Sequence, residues 1–248
     1  MKRLLLAAAL LGGCNATPPA PTTALHVLTG LPLFLGEGSI AEIVQGKTSA
    51  PPIIPHLAQR FAVSPLDVAR QHALATAKML LAIQPPALTP EELVALDDWV
   101  RAGGHALILA DPDLRWPSAL PKGDPRRPPV ATLLTPLFEH WGLRLVADRA
   151  DASPRMLAWR RLQIGLDGAG HWQAIRPNCE VLRPELARCA LGQGVVMLIS
   201  DADWLLGPRD SAALRLLDAL LQDLNVQSLP MTREYGRPKQ GKEQTDSP

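Results

Sequence analysis

The stretch MLLAIQPPALTPEELVALDDWVRAGGHALILADPD, residues 79–113, decides the fold. Met79 to Ile83 is an unbroken apolar run, the pattern of a strand buried on both faces. Pro85 and Pro86 turn the chain. Thr89-Pro90-Glu91-Glu92 then carries a helix start in four residues: Thr89 can cap, Pro90 suits the first helical position, and Glu92 can close a capping box. Leu93, Leu96 and Val100 share one face of that helix, with Trp99 beside it, and Gly103-Gly104 stop it. Ala106 to Ala110 is the next buried strand. Strand, helix and strand joined by short links make a βαβ unit, which places two parallel strands side by side with a right-handed crossover.

Working outward, Leu25 to Leu31 reads as a first strand, followed by a loop with Gly36-Glu37-Gly38. Ser39 starts a short amphipathic helix with Ile40, Ile43 and Val44 on one face. Residues 50–55 are a Pro-rich break, Ile54 to Phe61 a helix, and Val63 to Val68 a short strand. Beyond the βαβ unit, Leu114 to Pro129 is a long Pro-rich loop. A helix over Thr132 to Trp141 and a strand over Leu143 to Val146 follow. Residues 147–193 hold strand-like pieces at Leu162 to Leu166 and Trp172 to Ile175, separated by Gly and Pro, and read as a small antiparallel insertion. Val195 to Ile199 is a third buried strand. Arg209 to Leu224 is a helix with Leu214, Leu217, Leu221 and Leu224 on one stripe. The expected fold is α/β: a mostly parallel, flavodoxin-like sheet with helices on both faces and a small antiparallel insertion, formed by residues 25–228.

The ends of the chain read differently. Lys2 and Arg3 precede the apolar run Leu4 to Leu11, too short to span a membrane but suited to the centre of a signal peptide. Leu11-Gly12-Gly13-Cys14 has the order of a lipobox: an aliphatic residue, two small residues beside the cut, and a thiol free to take a diacylglycerol. Residues 1–13 are expected to be a lipoprotein signal peptide and Cys14 the acylated N-terminus. A simple secretory signal with an incidental Cys is the alternative. Residues 14–24, rich in Pro, Ala and Thr, then form a tether. Asn15 leaves open whether the inner or outer membrane holds the anchor. Residues 229–248 are polar and expected to be disordered. Loss of the signal changes the formal charge from +1 to −1, so no nucleic-acid partner is implied. Export would put Cys179 and Cys189 in an oxidising compartment. They are 10 residues apart around Arg183-Pro184-Glu185, enough for a reversal, and a disulfide between them is expected to stabilise by roughly 2–3 kcal/mol. Two buried thiols are the alternative.

The 79–113 stretch resembles the core of periplasmic auxiliary proteins of gliding-motility-type ABC transporters. It equally resembles related uncharacterised domains of the class I glutamine-amidotransferase-like superfamily. In both, a strand, a helix ending in Gly-Gly and a strand ending in Asp-Pro recur. LFEHWGLRLVAD (137–148) resembles their next helix and strand, and GQGVVMLISDADWLL (192–206) their late strand ending in Asp-x-Asp. LPLFLGEGSIAEIV (31–44) is similar to the start of short alphaproteobacterial lipoproteins built on this domain. The resemblance implies the α/β fold and an accessory role in envelope transport, with a lipid-anchored membrane association and an envelope protein as partner. These motifs are structural rather than catalytic.

No Gly-x-Cys-x-Gly or Gly-x-Ser-x-Gly elbow, Walker A loop, dinucleotide fingerprint or His-Glu-x-x-His motif occurs, so no catalytic residue, cofactor or metal ligand is assigned. Gly192-Gln193-Gly194 precedes a strand, the wrong side for a phosphate loop. The candidate ligand-binding residues are carboxylates and two tryptophans. Asp111-Pro112-Asp113 and Asp201-Ala202-Asp203 each end a buried strand and should emerge together at the carboxyl edge of the sheet, joined by Glu37. Such a group could hold a divalent cation or receive a partner's basic group; the competing and favoured reading has these Asp residues tying down loop N–H groups. Trp116 and Trp204, just after the Asp pairs, could line a glycan-binding cleft, or pack in the core. A non-catalytic binding or accessory protein is therefore the first reading, with a metal-dependent hydrolase or a glycan-binding module as alternatives.

Overall fold

The computed structural model describes residues 23–148, 155–167, 170–206 and 212–226. The signal peptide, Cys14 and most of the tether lie outside the described residues, as does the 229–248 tail.

Five parallel strands form the centre. They are β1 (Ala24–Thr29), β2 (Ala62–Pro65), β3 (Met79–Ile83), β4 (His105–Leu109) and β11 (Gly194–Ile199). Two antiparallel strands, β9 (Cys179–Arg183) and β10 (Leu186–Leu191), extend the sheet, giving the order β2-β1-β3-β4-β11-β10-β9. The parallel part has the flavodoxin order, in which strand sequence reverses between β1 and β3. β3 and β11 are buried along their whole length because helices cover both faces. β2, with Pro65, occupies an edge, where a missing N–H costs nothing to the ladder.

Alternate residues feed two cores. Val27, Met79, Leu81, Leu107, Leu109, Met197 and Ile199 face α2 (Ile53–Leu57) and α6 (Ala212–Val226). Leu214, Leu217, Leu221 and Leu224 are the buried stripe of α6, as its periodicity requires. Leu80, Ala82, Ala106, Ile108, Val196 and Leu198 face α3 (Gln71–Leu74), α4 (Pro90–Arg101) and α5 (Thr135–Trp141). The expected capping box of α4 is present: Thr89 Oγ1 accepts the Glu92 N–H and Glu92 Oε2 accepts the Thr89 N–H. Glu92 is itself buried, and its other oxygen takes the Ala69 N–H at 3.2 Å, so one side chain caps α4 and fixes the segment before α3. Gly104 admits no side chain, since a Cβ there would lie 2.4 Å from the Trp99 ring.

Several expectations change. The helix α1 (Ile40–Val44) forms with its own capping box, Ser39 to Glu42, but buries none of its residues; Ile40 and Val44 are exposed. Its apolar face reflects periodicity without a packing partner. The helix expected to run to Phe61 ends at Leu57. The strand β5 (Leu143–Val146) lies outside the main sheet, pairing with β8 (His171–Ala174). β6 (Arg155–Trp159) and β7 (Leu162–Leu166) make a separate hairpin. Within the region read as one insertion, β9 and β10 belong instead to the main sheet. The Cys179–Cys189 disulfide is present; it joins directly opposed residues of β9 and β10 across the turn at residues 183–185.

Candidate functional site

The carboxyl ends of β4 and β11 are neighbours, because the two strands pair from Val195↔His105 to Ile199↔Leu109. The residues that follow them therefore meet. Asp111, Asp201 and Asp203 each place a carboxylate oxygen within 4.8 Å of the others. Asp111 and Asp201 are fully buried and Asp203 is 6% exposed. Asp113, by contrast, points outward and pairs with Arg115 at 3.6 Å. Glu37 does not join them: its Oε1 accepts the Ala119 N–H in the Pro-rich loop.

Backbone N–H groups surround the three carboxyls. Asp111 Oδ1 accepts from Asp113 N at 2.8 Å and Oδ2 from Ala202 N at 3.0 Å. Asp201 Oδ1 accepts from Asp203 N at 2.7 Å and from Trp204 N at 3.3 Å, and its Oδ2 from Asp167 N at 2.8 Å. Asp203 Oδ2 accepts from Arg115 N at 2.7 Å. Together these six bonds tie three segments to the ends of β4 and β11: the segment after β4, the end of β7, and the residues leading into the 3₁₀ turn Asp203–Leu206. Burial is the main cause that pushes all three carboxyls up, Asp111 to about 7, Asp201 to about 8 and Asp203 to about 6; neighbouring carboxylates add to it, Asp203 and Asp113 at Asp111, Asp111 and Asp203 at Asp201, and Asp167 and Asp113 at Asp203. Chemically, this arrangement fixes loops: five of its six oxygens are already occupied by protein donors.

Beside this cluster, at the β1/β3 switch point where open α/β sheets usually leave a crevice, Gln84 and Pro129 stand among the described residues. Gln84, fully buried, donates its amide to the Asp111 and Pro129 carbonyls, both at 3.1 Å, and accepts the Asp111 N–H at 2.8 Å. Its φ of 39° is left-handed, a conformation costing a non-glycine residue about 1 kcal/mol or more. These bonds and the Gly30 N–H donated to its carbonyl hold it there. Gly30 is needed at that contact: a Cβ would meet Gln84 O at 2.9 Å and Pro129 Cδ at 3.0 Å. Gln84 and Asp167 were missed in the sequence. The signal for Gln84 was a polar residue placed directly after a five-residue buried run; Asp167 touches the cluster through its backbone N–H, which no side-chain pattern reveals, while its carboxylate pairs with Arg115 at 2.7 Å.

Trp116 and Trp204 are 7% and 6% exposed and belong to the core on the α6 face. Trp204 also donates its indole N–H to the Asp201 carbonyl at 3.0 Å. Both rings are used in packing next to the cluster rather than in lining an open cleft.

Among solved structures, the chain is similar to the mmIFT52 N-terminal domain, with 14% identity and a TM-score of 0.56 over 84% of this chain and 100% of that one. It is also similar to Gan42B, a GH42 beta-galactosidase from G. stearothermophilus, with 13% identity and a TM-score of 0.50 over 82% of this chain but 30% of that one. At such identities the likeness shows the shared fold. No curated protein matches the chain in sequence. A family profile does match, over residues 33–157, from the loop after β1 through the βαβ unit to β6. By that match the chain belongs to the family described as ABC-type uncharacterized transport system, the transporter auxiliaries.

Proposed function

We propose that this protein is a non-catalytic accessory component of an ABC-type transport system, held by a lipid on Cys14 at the periplasmic side of the cell envelope and acting by presenting its surface to an envelope protein. Family membership supports the transport setting. The observation that carries the non-catalytic reading is how the described residues of the carboxyl edge are used: Gln84 occupies the switch point, and five of the six oxygens of the buried Asp cluster accept backbone N–H groups. A metal-dependent hydrolase would need those carboxylates turned toward substrate. A glycan module would need Trp116 or Trp204 at the surface, and both are buried.

Lys2 and Arg3, the apolar run and Leu11-Gly12-Gly13-Cys14 support export and acylation. The Cys179–Cys189 disulfide fits an oxidising compartment. No helix among the described residues is long and apolar enough to cross a membrane, so the lipid would supply the attachment. Cys14→Ser is expected to move the protein from the membrane to the soluble fraction or leave it with an uncleaved signal, detectable by fractionation and intact-mass measurement. An unchanged membrane fraction with an unmodified Cys14 in the wild type would refute the anchor.

A further inference from the structure

We propose that Asp111, Asp201 and Asp203 form a proton-held latch: the folded protein keeps at least one proton among these three carboxyl groups at neutral pH, and losing it loosens the loops that leave the carboxyl edge of the sheet.

The argument starts from the sixth oxygen. Asp203 is more than nine-tenths buried, and its Oδ1 has no hydrogen-bond donor, whereas the other five oxygens of the cluster each accept a backbone N–H. A buried acceptor without a donor is costly, and a buried carboxylate more so. Its neighbours within 4.8 Å are two more carboxyls, which lack donors of their own when ionised. A single proton changes this: one carboxyl becomes an O–H donor and a neighbouring oxygen its acceptor, as in other acidic pairs that share a site. The charged groups facing the cluster do not remove the need. Arg115 gives Asp203 its backbone N–H, but its guanidinium is paired with Asp113 and Asp167 at 3.6 and 2.7 Å. Asp113 and Asp167 add negative charge to the same side.

The upward pKa shifts agree with this geometry and set the pH window. A carboxyl whose folded pKa lies above its unfolded value near 4 binds its proton more tightly when folded. The associated stability is whole below about pH 4 and is lost as pH rises through the folded values of about 6 to 8. The elements loosened would be those that donate backbone N–H groups to the cluster: the 3₁₀ turn, the end of β7 and the segment at Arg115.

Asp203→Asn is the discriminating variant. Asparagine keeps one oxygen for the Arg115 N–H and places a permanent N–H donor where Oδ1 has no partner. Thermal unfolding of the full chain in a chelating buffer, from pH 5 to pH 9, is the measurement. The melting temperature of Asp203→Asn minus that of the wild type is expected to grow by about 4 °C or more across this range. Parallel pH profiles would overturn the latch. Carboxyl-carbon NMR titration of the wild type gives an answer even where the variant folds poorly: at least one Asp carboxyl is expected to titrate above pH 6, and titration of every Asp below pH 5 would overturn the proposal. Calcium, magnesium or manganese that raises the wild-type melting temperature at pH 8, but not that of Asp203→Asn, would make the cluster a cation site and overturn it equally.

Discussion

Asp201→Ala is expected to lower the unfolding free energy by about 3–5 kcal/mol at pH 6, measured by chemical denaturation. The residue is fully buried and accepts three backbone N–H groups, from Asp167, Asp203 and Trp204. Alanine would leave all three donors without their acceptor inside a dry site, and each such donor costs about 1–3 kcal/mol, reduced where water or local movement relieves it. Asp111→Ala, which strands two donors, should follow with a smaller loss. Asp113→Ala is the control: that side chain is 60% exposed, and its removal should change stability by less than about 0.5 kcal/mol. Equal effects at Asp113 and Asp201 would contradict the description of the edge as a set of internal ties.

The second large effect is expected at Trp141. It is fully buried, packs against Phe138 at 6.3 Å between ring centroids, and donates its indole N–H to Asp97 Oδ1 at 2.7 Å. Phe138 in turn meets Trp172 edge-on at 5.2 Å, so α5 is joined to β8 through an aromatic chain. Trp141→Ala would open a large cavity and remove a donor from Asp97, whose carboxyl is held low by Arg101 and by this indole against the opposing effect of burial. A loss of about 3–5 kcal/mol in denaturant unfolding is expected, larger than for a Trp→Phe change at the same position, which keeps most of the volume.

The sequence makes β3, α4, β4 and β11 legible for simple reasons. Their apolar runs are uninterrupted, the helix carries both its start and stop signals, and burial on both faces leaves no polar alternation to confuse the period. β9 and β10 are harder, because CEVLR and LARCAL mix charges with apolar residues; they join the main sheet through successive tight hairpins, β9 with β10 and β10 with β11. α1 shows the opposite error: Ile40, Ile43 and Val44 follow helical spacing, and a helix forms, yet tertiary structure gives that face no partner. At the candidate site, the two Asp-x-Asp strand ends correctly bring Asp111, Asp201 and Asp203 together. Identical motifs then diverge at their second Asp, since Asp113 turns to solvent and Asp203 turns inward, a choice made by the loops that follow. Glu37 is bonded to the long Pro-rich segment and Trp116 lies within it, and local sequence does not specify that segment's path; Trp204 sits in the 3₁₀ turn, where its indole is turned inward to the Asp201 carbonyl.

Recovery of the full-length protein from native envelopes in mild detergent, with quantitative mass spectrometry of what co-elutes, tests the central claim most directly. An accessory component should arrive with an ABC-type ATPase and permease in a fixed ratio, its own N-terminus being acylated Cys14. Elution of the chain alone, from extracts in which the transporter remains assembled, would contradict the account.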